Sequence, residues 1–305
     1  MAIAGSAGLD VTLRNPPRHW IGEVGRDVYT QQTLLPLALP AEMGLGGNGG
    51  SAAYVLAKLG GRVHLNAPIG IDPIGRLVRE WLTEAGVKCV APVGQSTMHA
   101  ITAVDAQGKR LGTLQHVGPP IDWDLSTQNQ EAACLLVSLP GQVSVEVMPQ
   151  VLKLLKSFEQ PSRVRVLDIG AGWTGKLSCK RVLELWAHTE IVVGTLEELK
   201  TWVASQTIQL VAQRVLAAGP QIVVMKMGSE GVAYQSRSDS FALQAALKLR
   251  QANVSIGAGD AFNGALIAGL LRGQTLAEAV TGAQRVAVKV VEGGRGVLGW
   301  PKGGF

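Results

Sequence analysis

Short apolar runs alternate with longer stretches of helical period along this chain, and that alternation restricts its fold more than any other feature. A run apolar at consecutive positions reads as a strand buried on both faces, so helices must cover both sides of the sheet it joins. The candidate strands are Met1–Ala4, Arg62–Ile69, Ala133–Val137, Val164–Ile169, Ile191–Val193 and Ile222–Met225. The candidate helices are Ser51–Leu59, Gly75–Ala85, Ser178–His188, Thr207–Ala217, Ala261–Arg272 and Leu276–Val291. The class is α/β. Two stretches break the pattern. Val11–Met43 carries four prolines, and Met98–Val117 reads as a hairpin, Ala100–Val104 and Arg110–His116, turning at Asp105–Gly108. Neither has the apolar residues for its own core. They are expected to form a small β lid, about 11–43 and 98–117, on one domain spanning 1–305.

Composition narrows the function classes. The net charge is +5, but the basic residues are scattered and form no run, so a nucleic-acid partner is not expected. Cys89, Cys134 and Cys179 are far apart and lack any C-x-x-C, which suggests neither disulfides nor zinc and fits a reducing cytoplasm. No apolar stretch is long enough to span a bilayer, Met1–Asp10 has no leader-like features, and the mean hydropathy of +0.20 reflects core. Glycine is in excess, 38 residues where average usage near 7% predicts about 21.

Part of that glycine sits in motifs that could carry chemistry. The sharpest is Ser255-Ile256-Gly257-Ala258-Gly259-Asp260-Ala261-Phe262, a small-residue turn running into an apolar helix. Unpaired amides at such a junction, with the helix dipole, suit an anion. Two roles are open for Asp260 from the local residues alone. It is an N-cap, or a base that takes the proton of a hydroxyl attacking a phosphoryl group.

A second motif, Gly44-Leu45-Gly46-Gly47-Asn48-Gly49-Gly50-Ser51, enters another helix. Gly44 to Gly49 match G-x-G-x-x-G, but Pro40–Met43 occupy the place of the required strand and no acid follows at the right distance, so a dinucleotide site is not expected. Asp72-Pro73 reads as a helix cap followed by proline at the first helical position. Gly170–Lys176 fits G-x-x-x-x-G-K, but Leu177 stands where a P-loop needs a hydroxyl for Mg²⁺, and Ser178 is one position late.

Taken in order, a terminal strand ending Gly5-Ser6-Ala7-Gly8-Leu9-Asp10, a Gly-Gly turn into a helix, a G-x-D-x-x-G at Gly70–Gly75 and a late G-A-G-D resemble the ribokinase-like (PfkB) family of ATP-dependent carbohydrate and nucleoside kinases. The resemblance runs through nearly the whole chain. It implies a doubly wound, mostly parallel sheet with helices on both faces and a β lid. Ligands would bind beyond the carboxyl ends of the strands.

The resemblance also implies site residues. Asp260 would be the base, with Gly257, Ala258 and Gly259 as the anion hole. Asp10, Gly46 and Gly47 would contact the substrate. Glu197 would act on Mg²⁺ through water, and Lys226, Gly228, Gly231 and Gln284 would line the ATP site. Four positions depart from the family pattern. Ser51 and Asn48 would also contact the substrate, Ser51 standing in place of an Asn that contacts sugar, so that this contact is lost or shortened, with Asn48 a substitute. Gly194 replaces the Asn of N-x-x-E, Lys226 replaces a Thr, and Val254 replaces an Asp, which puts monovalent-cation activation in doubt.

The implied activity is transfer of the ATP γ-phosphate to a hydroxyl of a sugar, nucleoside or sugar-like small molecule. The alternatives are a family member that binds without turnover and a P-loop NTPase using Gly170–Lys176. Arg14, His19, Tyr29, His99 and His116 are candidate lid contacts, and lids of this kind also pair into homodimers.

Overall fold

The protein is described here by a computed structural model covering residues 1–16, 40–91, 94–108, 110–123, 131–139, 145–170, 177–203, 205, 207–251 and 253–300. Nine strands form the main sheet: β1 (Ala2–Ala4), β4 (Val63–Asn66), β5 (Val87–Cys89), β8 (Cys134–Leu139), β9 (Val164–Ile169), β10 (Ile191–Thr195), β11 (Ile222–Lys226), β12 (Val232–Ser236) and β13 (Ala242–Gln244). Their order is β13-β12-β11-β10-β9-β8-β1-β4-β5. The seven strands from β11 to β5 pair parallel, and β12 and β13 add antiparallel at one edge.

Burial on both faces follows from the side-chain period of two. Ile3, Leu136, Val166, Val193 and Val224 enter one core, shared with α1 (Asn48–Lys58), α2 (Pro73–Glu84), and, late in the chain, α7 (Ala258–Leu271) and α8 (Leu276–Gly293). Their neighbours Leu135, Val137, Leu167, Val192, Val223 and Met225 enter the other. That core is shared with α3 (Met148–Ser157), α4 (Cys179–Ala187), α5 (Leu196–Val203) and α6 (Ile208–Ala217). The doubly wound α/β class read from the sequence is therefore the observed one.

A second, smaller sheet has the order β3-β2-β6-β7, from β2 (Gly8–Arg14), β3 (Glu42–Gly46), β6 (Met98–Val104) and β7 (Arg110–His116). The hairpin expected from the turn at Asp105–Gly108 is β6–β7. Residues 17–39 of the other expected segment lie outside the described residues.

Several elements and boundaries differ from the sequence reading, which lacked β5, β12, β13 and α3. A strand, β3, does run into the Gly44–Gly50 turn, but it lies in the small sheet, antiparallel to β2, and so is no part of a dinucleotide-binding unit. Helix α7 begins at Ala258, three residues early, because Gly257 takes a left-handed φ of 78° and starts the helix itself. Helix α5 was not anticipated, since it follows β10 with no turn residue between Thr195 and Leu196.

Asp72 is the N-cap of α2, as expected, and it also anchors the small sheet. Its carboxylate accepts from Gly75 N (2.8 Å), Thr97 N (3.0 Å) and Thr97 Oγ1 (2.5 Å) just ahead of β6. These bonds pull its carboxyl below the usual range against the effect of burial. Asp72→Ala is expected to lower the unfolding free energy by about 1–2 kcal/mol, the usual cost of losing a cap. An unchanged denaturant midpoint would contradict this role.

Candidate active site

Covering both faces with helices leaves the strand ends for polar chemistry, and the motifs gather at the carboxyl ends. Asp168 is next to last in β9, Thr195 ends β10 and Lys226 ends β11. Thr195 and Lys226 are paired across the two strands. The amino end of α7 faces this row, since Lys226 Nζ donates to Asn263 Oδ1 (3.1 Å) and Asn263 Nδ2 to Asp168 Oδ2 (3.0 Å).

The start of α7 bears on the cap role left open for Asp260. The N-cap is Gly257, with no side-chain capping bond, and Asp260 is the third helical residue. The cap reading is thereby excluded. The first amides of the helix have no intrahelical acceptor, which suits an anion. Asp260 is half-buried beside them. Burial first, then the carboxylates of Asp168, Asp10 and Glu198, push its carboxyl up to about 7, while Lys226 opposes them.

Asp10, in β2, is pushed up to about 6 by burial, with Arg110 opposing. Gly46 lies directly against it, since a Cβ there would stand 2.6 Å from the Asp10 carboxyl carbon. Gly47 has a φ of 80°, and a Cβ on it would meet the Ser6 carbonyl at 2.5 Å. Both glycines are thus fixed by close backbone approach.

Other residues named from the sequence are placed differently. Asn48 Oδ1 is engaged by Ser6 N, Ser6 Oγ and Gly49 N, so its oxygen braces the turn. Ser51 is 1% exposed and its hydroxyl donates to Leu45 O, which makes it a packing residue of α1. Gln284 is buried, accepts from Gln244 Nε2 (2.7 Å) and donates to Ala245 O (3.0 Å), tying α8 to the chain at β13. Gly231 allows close packing, since a Cβ would fall 2.1 Å from Gln244 O, whereas Gly228 borders open space. Val254 is fully buried hydrocarbon.

The largest correction concerns the acid at the end of β10. Glu197 has a side chain 83% exposed and paired with Lys200. Its neighbour Glu198 turns inward, accepts from Thr195 N (2.6 Å), and has its carboxyl raised by burial, with Asp168 adding to the effect. Gly194 lies inside the strand, and the inward acid is paired with Thr195, three residues before it. Thr195 Oγ1 accepts in turn from Glu198 N, a capping-box exchange that the spacing T-x-x-E signals.

Asp168 and Asn263, absent from the sequence reading, complete the site. Ser178, one position late for a P-loop, instead caps α4 by accepting from Arg181 N, while residues 171–176 lie outside the described residues. Of the candidate lid contacts, His19 and Tyr29 also lie outside them. Arg14 is held by Glu42 through two bonds of 3.0 Å. His99 and His116 pair across β6 and β7 with ring centres 5.0 Å apart.

Comparison with known proteins bears on the fold and the family. The chain is 26% identical to a 5-dehydro-2-deoxygluconokinase of Shouchella clausii, covering 77% of each. It is 25% identical to a ribokinase of Arabidopsis thaliana, covering 92% of this chain and 78% of that one. Its fold is similar to a ribokinase from Thermotoga maritima (TM-score 0.76, 21% identity, 98% of this chain and 95% of that one covered). It is also similar to the Arabidopsis thaliana ribokinase solved with ribose and ATP (TM-score 0.74, 20% identity, again 98% and 95%). A family model described as pfkB family carbohydrate kinase matches residues 21–302. The chain therefore belongs to the PfkB family of carbohydrate kinases, phosphotransferases that use an alcohol group as acceptor.

Proposed function

We propose that this protein transfers the γ-phosphoryl group of ATP to a hydroxyl of a sugar or sugar-like small molecule, with Asp260 as base and the amides of Gly257, Ala258 and Gly259 as anion hole. The supporting observation is a half-buried carboxylate, raised to about 7, on the first turn of a helix whose leading amides have no acceptor within the helix, Ala258 N donating to Ser255 O just ahead of it. A carboxylate among anion-binding donors repels a phosphate unless it has a task, and accepting a proton is that task. As the acceptor oxygen bonds to phosphorus and the bond to ADP breaks, the hydroxyl proton passes to Asp260. The amides meet the charge on the transferring group.

Asp10 and the backbone at Gly46 and Gly47 would receive sugar hydroxyls, and the turn from Gly228 to Gly231 would line the nucleotide. The described residues include no cluster of three or more metal-ligating side chains, so Mg²⁺ would be held mainly by the phosphates, with Glu198 in place of Glu197 as its carboxylate neighbour. Bound there, Mg²⁺ would neutralise phosphate charge. A monovalent cation does not fit, because Val254 offers only hydrocarbon where a carboxylate would be needed. Cys89, Cys134 and Cys179 are free thiols, consistent with a reducing cytoplasm, and no described helix is long and apolar enough to cross a membrane.

The small sheet is assigned as a lid that also pairs two copies of the chain. Val11, Met43, Ile101 and Leu114 are cross-strand neighbours in one row, on the face opposite Asp10, and the last three are exposed. A lysine at Leu114 is expected to convert a dimer to monomer in light scattering. A wild-type protein that is monomeric at micromolar concentration would end this assignment.

Turnover is tested by ADP release in Mg²⁺ over a panel containing ribose, fructose, 5-dehydro-2-deoxygluconate and adenosine. With whichever acceptor works, Asp260→Asn should lower kcat by roughly 10²–10⁴ with nucleotide affinity nearly unchanged. Unchanged turnover would remove Asp260 as base. Ligand-dependent thermal stabilisation without ADP from any acceptor would show a binding protein. Lys176→Ala should leave nucleotide binding intact.

The pH dependence follows from the raised carboxyl. The base acts deprotonated, so kcat/KM should fall as pH drops through about 7. The stability effect has the opposite sense. Between the ordinary carboxylate range and about 7 the folded chain retains a proton that the unfolded chain gives up, so Asp260 costs stability as pH rises through that window. Asp260→Asn should therefore raise Tm at about pH 8 and lose that gain toward about pH 4. The same Tm change at both pH values would contradict the raised carboxyl.

A further inference from the structure

The base is only one polar group on the buried side of α7. One turn along, a chain of side chains links four elements. Ser138 Oγ in β8 donates to Asp168 Oδ2 in β9 (3.1 Å), and Asn263 Nδ2 in α7 donates to the same oxygen (3.0 Å). Lys226 Nζ at the end of β11 donates to Asn263 Oδ1 (3.1 Å). Asp168 is 6% exposed and Asn263 is 1% exposed. A buried carboxylate is costly unless it is answered by donors and charge, so this chain is expected to have few alternative arrangements.

The chemistry of the groups fixes the direction of the chain. An ionised Asp168 can only accept, which obliges Asn263 to present its amide NH₂ to it. The Asn263 oxygen must then face the other way, toward Lys226, which can only donate. The charge on Asp168 thus orders the lysine through an amide that cannot be reversed without breaking both bonds.

The position of the ordered ammonium matters. A Cβ built on Gly259 would lie 3.6 Å from Lys226 Nζ, so the ammonium stands over the first turn of α7, beside its leading amides. Asn263 takes one of its three protons. Asp10, Asp168, Glu198 and Asp260 all lie close enough to couple electrostatically at this place, and Lys226 is the cation that counters them at Asp260. An anionic ligand entering here needs such a cation.

We propose that Asp168 and Asn263 are positioning residues that hold Lys226 as a donor to the transferred phosphoryl group itself, the group that distinguishes ATP from ADP. This rests on the kinase reading above but goes beyond a general place for Lys226 along the nucleotide. Lys226 donates hydrogen bonds and transfers no proton. As the bond from phosphorus to ADP breaks and the bond to the acceptor forms, its charge offsets that of the phosphoryl oxygens, while the proton goes to Asp260.

Calorimetric titration with Mg²⁺ and either a non-hydrolysable ATP analogue or ADP, without sugar, tests the proposal. Lys226→Met should weaken the ATP analogue about tenfold or more while changing ADP by less than about threefold, as expected for loss of one charge-assisted bond. Asn263→Ala should move the analogue in the same direction, and the double variant should be no worse than Lys226→Met, because the two act as a unit. Equal weakening of both nucleotides, or a silent Asn263→Ala, would overturn the proposal. Lys226 lies at a partly exposed strand end, so Lys226→Met alone decides the γ-phosphoryl contact if Asn263→Ala does not fold. A wild-type protein that discriminates through Lys226 yet phosphorylates no acceptor would fail the kinase reading and keep this one. A wild-type protein that binds neither nucleotide would overturn both.

Discussion

A parallel sheet buried on both faces has nowhere but its strand ends to place polar groups. Alternate residues of β1, β8, β9, β10 and β11 enter opposite cores, so a charged side chain in mid-strand would lie in hydrocarbon on either side. The acids and the lysine of the site sit accordingly at the last residues of their strands or just beyond them. Helix α7 then brings its leading amides to the same rim. The site is a consequence of how the sheet is covered, and the small sheet rooted beside it supplies Asp10 from β2.

The same confinement sets the electrostatics. At this helix terminus the Asp260 carboxyl is raised by burial first and then by the carboxylates of Asp168, Asp10 and Glu198. The arrangement works against folding stability at neutral pH and toward proton transfer, since a base is most effective when its pKa is near the operating pH. Lys226 limits the effect. Without it the carboxyl would rise further and hold its proton at neutral pH, so the ammonium serves the base as well as the anion it faces.

Much of this was legible in the sequence because it depends on local pattern. The buried strands showed as apolar runs, and the G-A-G-D junction as small residues opening a helix. Asp72-Pro73 was readable as a cap because capping chemistry is local. What was missed depends on register or on distance along the chain. Glu197 and Glu198 are adjacent acids, and only the end of β10 at Thr195 decides which one turns inward. Ser51 was read as a ligand contact because burial of a helix face by distant elements is invisible at one position. Asp168 and Asn263 are 95 residues apart in sequence. Their signals were present, an acid next to last in the strand Val164–Ile169 and an amide on the buried face of a helix, but nothing in the sequence joined them.

The central claim is that burial and converging carboxylates hold Asp260 ready to exchange a proton near neutrality. A carboxyl ¹³C titration of the ligand-free protein measures this directly, with the Asp260 signal assigned by its loss in Asp260→Asn. A midpoint of about 7, moving higher in Lys226→Met, is the predicted result. A midpoint in the ordinary carboxylate range, near 4, or no response to Lys226→Met, would contradict the account.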